Sequence, residues 1–120
     1  MKTLKVGIIS KDEYKNRTIN IAKGIYKPRE DEPKVWFESI KSMAQILSNE
    51  NQELLKVILE HKPTSLTQLV ELTGRAKSNL SRTLKTLERY GIVELHKQNR
   101  AVIPEVKAAH FNVEFGLSVA

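Results

Sequence analysis

The sequence predicts an α+β fold, and three observations carry that prediction. Apolar residues alternate with polar ones at both ends of the chain, in "TLKVGII" (3–9) and in "AHFNVEFGLSVA" (109–120). The middle holds successive stretches with helical apolar spacing, each opened by a serine or closed by glycine or proline. Between the last of these and the tail, "IVELHKQNRAVIPEV" alternates about a polar centre, as a two-stranded hairpin does.

In chain order, residues 3–9 form a strand because Leu4, Val6 and Ile8 alternate with Thr3, Lys5 and Gly7. Residues 11–23 form a helix with Ser10 as N-cap and Gly24 as its stop, and Tyr14, Thr18, Ile21 and Ala22 make its inner face. "PREDEP" is a charged, solvated loop between prolines. "KVWFES" (34–39) is a short strand rich in β-formers. Ser39 opens a short helix carrying Ile40, Met43, Ala44 and Leu47.

Ser48 caps a longer helix striped by Leu54, Leu55, Ile58 and Leu59, and Pro63 ends it. In "TSLTQLVELTG", Ser65 and Gln68 have capping-box spacing, Leu66, Leu69 and Val70 face inward, and Gly74 permits a sharp turn. A third helix over 77–90 buries Leu80, Leu84 and Leu87 and stops at Gly91. The hairpin follows, with Lys97-Gln98-Asn99-Arg100 as its turn and Pro104 confining the second strand to an edge. Phe111, Val113, Phe115, Leu117 and Val119 share one face of the tail, which therefore needs a strand to pair with.

Three helices followed by a hairpin with a basic tip make a winged helix-turn-helix. The expected organisation is an N-terminal β-α-β-α arm at 1–47 that joins a dimer or partner, a winged helix at 48–105, and a strand-forming tail at 106–120.

Composition narrows the function. The chain of 120 residues has a net charge of +6 and no cysteine, which excludes disulfides and cysteine nucleophiles and fits a cytoplasmic protein. No apolar run is long enough to span a bilayer, so no membrane partner is expected. From 74 to 100 there are seven basic residues (75, 77, 82, 85, 89, 97, 100) against two acidic ones (88, 94). One quarter of the chain thus carries nearly all of the net charge, which suits a polyanionic partner. His61, His96 and His110 lack helical ligand spacing, so neither a metal nor a cofactor is expected. Glu30-Asp31-Glu32 reads as solvated charge rather than an acid/base pair, and no phosphate loop or nucleophile elbow is present; an enzyme is not expected.

The third helix has two tasks on two faces. With its leucines inward, Ser78, Ser81, Arg82 and Lys85 project outward beside Lys77 and Asn79. Arg and Lys reach guanine O6 and N7, and Asn can bond adenine bidentately. Ser65, at a helix start, suits a phosphate, and Lys97, Asn99 and Arg100 on the hairpin suit the backbone or a minor groove.

"LTGRAKSNLSRTLKTLERYGIVEL" resembles the MarR-like winged-helix pattern at Ser81-Arg82, Leu84, Leu87-Glu88, Tyr90 and Gly91-Ile92-Val93. Ala76 departs from it, standing where an Asp or Ser cap is usual, at about 1 kcal/mol of helix stability. Over nearly its whole length, including Phe37-Glu38-Ser39, the chain is similar to a family of predicted DNA-binding transcriptional regulators of archaea and bacteria. That resemblance implies a sequence-specific regulator of double-stranded DNA, expected to act as a dimeric repressor. Some members are similar to antitoxins, which implies a second role as an interaction module that neutralises a small toxin and autoregulates its operon. Trp36, Phe37 and the tail aromatics are either core or part of such an interface. RNA is disfavoured, since no aromatic residues interleave with a basic sheet.

Overall fold

A computed structural model describes residues 2–117, so Val119 lies outside the described residues. Among these, five helices and five strands make an α+β structure with two sheets. β1 (Lys2–Ile8), α1 (Lys11–Ala22) and β2 (Val35–Phe37) come first, then α2 (Ile40–Ile46), α3 (Asn49–His61), α4 (Leu66–Thr73) and α5 (Lys77–Arg89). β3 (Val93–Gln98), β4 (Ala101–Val106) and β5 (Ala108–Glu114) follow.

The tail finds its partner at the other end of the chain. β5 runs parallel to β1, with Leu4 opposite Phe111 and Val6 opposite Val113. β2 lies parallel on the other side of β1, giving the order β2-β1-β5. The first and last segments therefore share one sheet, and 40–106 form an excursion between two of its strands. The strand ends at Glu114, before Phe115 and Leu117, which are 53% and 83% exposed.

One face of this sheet meets the helical core. Phe37 is fully buried and stacks on Tyr90, with ring centroids 4.7 Å apart. Leu4 and Phe111 pack against a cluster of Leu54, Leu55, Ile58, Leu69, Leu80, Leu84, Leu87, Ile92, Val93 and Val106. The sheet and the helices are thus tied by apolar contact rather than by a linker.

The other face belongs to α1, and here the expected inner face needs correction. Tyr14 is 46% exposed and Thr18 is exposed, its hydroxyl donating to the Tyr14 carbonyl at 3.0 Å. Arg17 is the residue that docks, with its guanidinium 5.0 Å from the Trp36 ring centre and 5.9 Å from that of Tyr26. Its Nη2 donates to Glu32 at 2.8 Å, and Glu32 is only 8% exposed, so the charged loop is not solvated throughout. A long charged stem can bury apolar area while its head is paired, which a search for apolar spacing overlooks.

Trp36 in turn lies over Gly7, where an added Cβ would run into the indole ring. Gly7→Ala is therefore expected to destabilise the fold by about 1–3 kcal/mol, the range for overpacking a filled site. Urea unfolding at neutral pH measures it; an unchanged midpoint would show that the ring moves aside freely.

Candidate nucleic-acid interface

Three serine caps organise the helices that carry the site. Ser39, Ser48 and Ser65 each accept a hydrogen bond from the backbone N–H three residues on, as their spacing predicts. At Ser65 the box is displaced by one residue: Gln68 Oε1 reaches back to the N–H of Thr64 at 2.8 Å. Gly74 ends α4 in the left-handed region (φ 71°), and the turn 74–76 leads directly into α5. Ala76 supplies no side-chain cap, which leaves the first-turn N–H groups of α5 without that acceptor.

α5 has two distinct faces. Leu80, Leu84 and Leu87 are buried in the core. At 3.6 residues per turn, Ser78, Arg82, Lys85 and Arg89 fall in one row on the opposite side, and all four are exposed. None of the three cations in that row makes an ion pair among the described residues. Glu88 is the one acidic residue of α5 and keeps its charge, against the exposed Lys77, Arg82, Lys85 and Arg89. Glu88 accepts the N–H of Leu95 at 3.0 Å, fastening β3 to the end of α5. Glu94 lies 3.5 Å from Lys107 Nζ and 3.8 Å from His96 Nε2. The net charge facing outward on α5 is positive.

Ser78, Arg82 and Lys85 are thus brought together as expected, and Lys77 is exposed at the first position of α5. Ser81 is half-buried and sits off the row. The Ser65 oxygen is committed to its cap, leaving its O–H to donate. Asn79 differs most from expectation. It is half-buried, and its Oδ1 accepts from Arg75 Nε at 3.0 Å, which ties its amide to the flank of α5 rather than leaving it loose on the exposed row. Arg75 Nη2 also reaches the Thr83 hydroxyl at 3.3 Å, while Nη1 is shut from solvent without a partner among the described residues.

Two residues join the site that spacing and motif alone do not single out. Arg89 has a signal in the sequence, because it extends the spacing of 78, 82 and 85 by one more turn. Arg75 has none, since it lies before the helix it contacts.

The hairpin pairs antiparallel from Val93↔Val106 to Gln98↔Ala101. Its turn is shorter than the expected four residues. Only Asn99 and Arg100 form it, both at positive φ (50° and 69°), as the tight type I′ turn requires. Lys97 therefore sits within β3, opposite Val102, rather than at the tip. The same register brings Glu94 opposite Glu105, a like-charge pair that neighbours must offset. His96 Nε2 is 2.8 Å from Glu105, and Lys107 Nζ is 3.2 Å from it. These neighbours hold the Glu105 carboxyl below its ordinary range, the His96 hydrogen bond first and Lys107 next, and Lys107 is raised in return. Glu94, His96 and Glu105 are also the group among the described residues able to offer three metal-ligand atoms, within 4.8 Å of one another. The Lys107 ammonium already stands against both carboxylates and supplies the compensating charge.

No helix among the described residues is long and apolar enough to cross a membrane. A family model described as HVO_A0114 matches residues 46–113, from the end of α2 through nearly all of β5. No curated protein and no solved structure matches the chain.

Proposed function

The chain belongs to the HVO_A0114 family, and we propose that it is a sequence-specific regulator of transcription that binds double-stranded DNA. In this reading α3, α4 and α5 with the β3–β4 hairpin form a MarR-like winged helix-turn-helix. α5 is the recognition helix and the hairpin is the wing. One observation carries the reading: the Ser78-Arg82-Lys85-Arg89 row is exposed and cationic, with no ion pair among the described residues, directly opposite a buried leucine spine. A merely solvated face would more often show paired charges of both signs.

Arg82 and Lys85 read bases, and Ser78 approaches closely enough to bond a base edge or a phosphate. Lys77, Lys97, Arg89 and Arg100 hold phosphates, aided by the N–H groups that start α5. One recognition helix buries little surface, so a cytoplasmic dimeric repressor on a two-fold operator is the expected form. Enrichment of duplexes from a random pool tests the reading, and a pool that stays random overturns it.

Arg100 supports the wing assignment. A non-glycine residue at positive φ costs about 1 kcal/mol, and glycine would fill this turn position without that cost. Arg100→Gly is expected to raise stability by about that amount while weakening binding to every duplex alike. With about four to six phosphates held per chain, log K against log[salt] should fall with a slope of about −4 to −5. The variant's slope should be shallower by about one. An identical slope would remove Arg100 from the interface.

A second reading rests on Val113, Phe115 and Leu117, apolar and exposed at the end of β5 and just beyond it. Such a surface suits a protein partner, and a small toxin neutralised by an antitoxin is the form it would take. Purification of the chain with its native neighbours tests this: recovery without a stoichiometric small protein would count against it.

A further inference from the structure

We infer that two copies of this chain meet at β5, whose free edge pairs antiparallel with the same edge of a second copy about a two-fold axis at Asn112. This names the surface behind the expected dimer and draws on no property of DNA.

The sheet has two edges, and they differ. β2 is three residues long, a short edge of the kind native sheets use to discourage pairing. β5 runs for seven and carries neither lysine nor proline, so it lacks such a guard. Its hydrogen-bonded neighbour among the described residues is β1 alone. His110, Asn112, Val113 and Glu114 are exposed.

Backbone direction says which groups of β5 are free. The Ile9 N–H donates to the Phe37 carbonyl at 2.9 Å, and the Lys5 carbonyl accepts from the Lys34 N–H at 3.1 Å. Lys5 and Ile9 thus turn toward β2, and the alternate residues Leu4 and Val6 turn toward β5. Leu4 lies opposite Phe111 and Val6 opposite Val113. In a parallel ladder each then bonds the residues that flank its partner. His110, Asn112 and Glu114 are therefore committed to β1, while the N–H and C=O groups of Phe111 and Val113 point outward.

An antiparallel copy satisfies those outward groups when Phe111 and the partner's Val113 exchange hydrogen bonds. In that register the strand complements itself. Asn112 faces its own copy, and His110 faces the partner's Glu114 on each side of the axis. Neither His110 nor Glu114 makes an ion pair among the described residues. Moving the axis to Phe111 or Val113 keeps the backbone bonds but sets Glu114 opposite Ala108 or Asn112, so charge selects Asn112. Apolar surface agrees. Val113, 48% exposed, would be covered by the partner's Phe111, which borders an apolar hollow of about 310 Å³ lined also by Leu55, Leu59 and Ala109.

Sedimentation equilibrium of the full chain without DNA should find a dimer. His110→Glu sets like charges opposite each other twice, and should raise the dimer dissociation constant by about tenfold or more. Adding Glu114→Lys restores opposite charges and should return the constant to within about threefold of wild type, which a misfolded variant could not do. The chain has no cysteine, so Asn112→Cys introduces a single thiol. Mild oxidation should join two chains there, because non-hydrogen-bonded neighbours stand about 4.5 Å apart at Cα. Val113→Cys should stay unjoined, since its copy lies two residues out of register, beyond the roughly 7 Å that a disulfide spans. A monomer at every concentration, which leaves the edge to another protein, would overturn the inference. So would a dimer that His110→Glu leaves intact, that the charge exchange fails to restore, or that joins through Val113→Cys in place of Asn112→Cys. Whether the chain binds a duplex is read separately, by the random pool.

Discussion

Arg82→Ala should weaken binding to the selected duplex by about 1–3 kcal/mol, roughly 5- to 150-fold, and flatten base preference at one position. The side chain is exposed in the middle of the α5 row, between Ser78 and Lys85, where a recognition helix lies deepest in the major groove. Its removal leaves the fold intact. Among the described residues, the only hydrogen bond involving Arg82 beyond the helix ladder is to its carbonyl, from the Thr86 hydroxyl, and alanine preserves that. Alanine is also the better helix former, so thermal unfolding should stay level or rise slightly. Comparison with Lys97→Ala separates base reading from phosphate holding. Taking the Lys97 ammonium off a phosphate should weaken all sequences alike and make the salt slope shallower, with the motif unchanged. Should Arg82→Ala keep both affinity and motif, α5 is not the reading element.

The features legible in the sequence are those set by short-range geometry. The leucines at 80, 84 and 87 specify a helix face by spacing alone, and the structure buries all three. Serine caps at 10, 39, 48 and 65 work across three residues, and all four accept the predicted backbone bond. What the sequence hides depends on which distant segments meet. The alternation of β5 is plain in the sequence, but its parallel pairing with β1 joins opposite ends of the chain. The Glu94-His96-Glu105 cluster exists only because the hairpin register sets residues of two strands side by side. The hairpin turn carries no Asn-Gly or Asp-Gly signal, so flanking polar residues mask its two-residue form. In the sequence Arg75 is one positive charge among seven, and its bonds to Asn79 and Thr83 follow only from where its atoms go. The exposed row of α5 is thus readable from periodicity, whereas the hydrogen bond from Arg75 to Asn79 is not.

Arg17→Met should destabilise the fold by about 2–4 kcal/mol, the largest loss expected from a single surface-helix substitution here. Breaking a buried pair by deleting one partner typically costs about 3–5 kcal/mol, and the loss here is smaller because the Arg17 side chain is still 19% exposed. The loss has two parts. Glu32, 8% exposed, is left with an uncompensated carboxylate, and Trp36 and Tyr26 lose the cation above their rings. A double-mutant cycle separates them. Glu32→Gln alone should cost less than Arg17→Met, since a neutral amide still accepts from the guanidinium. The pair together should cost less than the sum by about 1 kcal/mol or more, because no buried charge then remains. Urea unfolding at neutral pH reads all four proteins, and strict additivity would show that Glu32 is not held by Arg17. The loss should be felt beyond α1. Trp36 is clamped between Arg17 and Gly7 of the central strand, and the next residue, Phe37, stacks on Tyr90 at the end of α5. Loosening the arm therefore loosens the seat of α5, which couples the N-terminal βαβ unit mechanically to the helix proposed to read DNA.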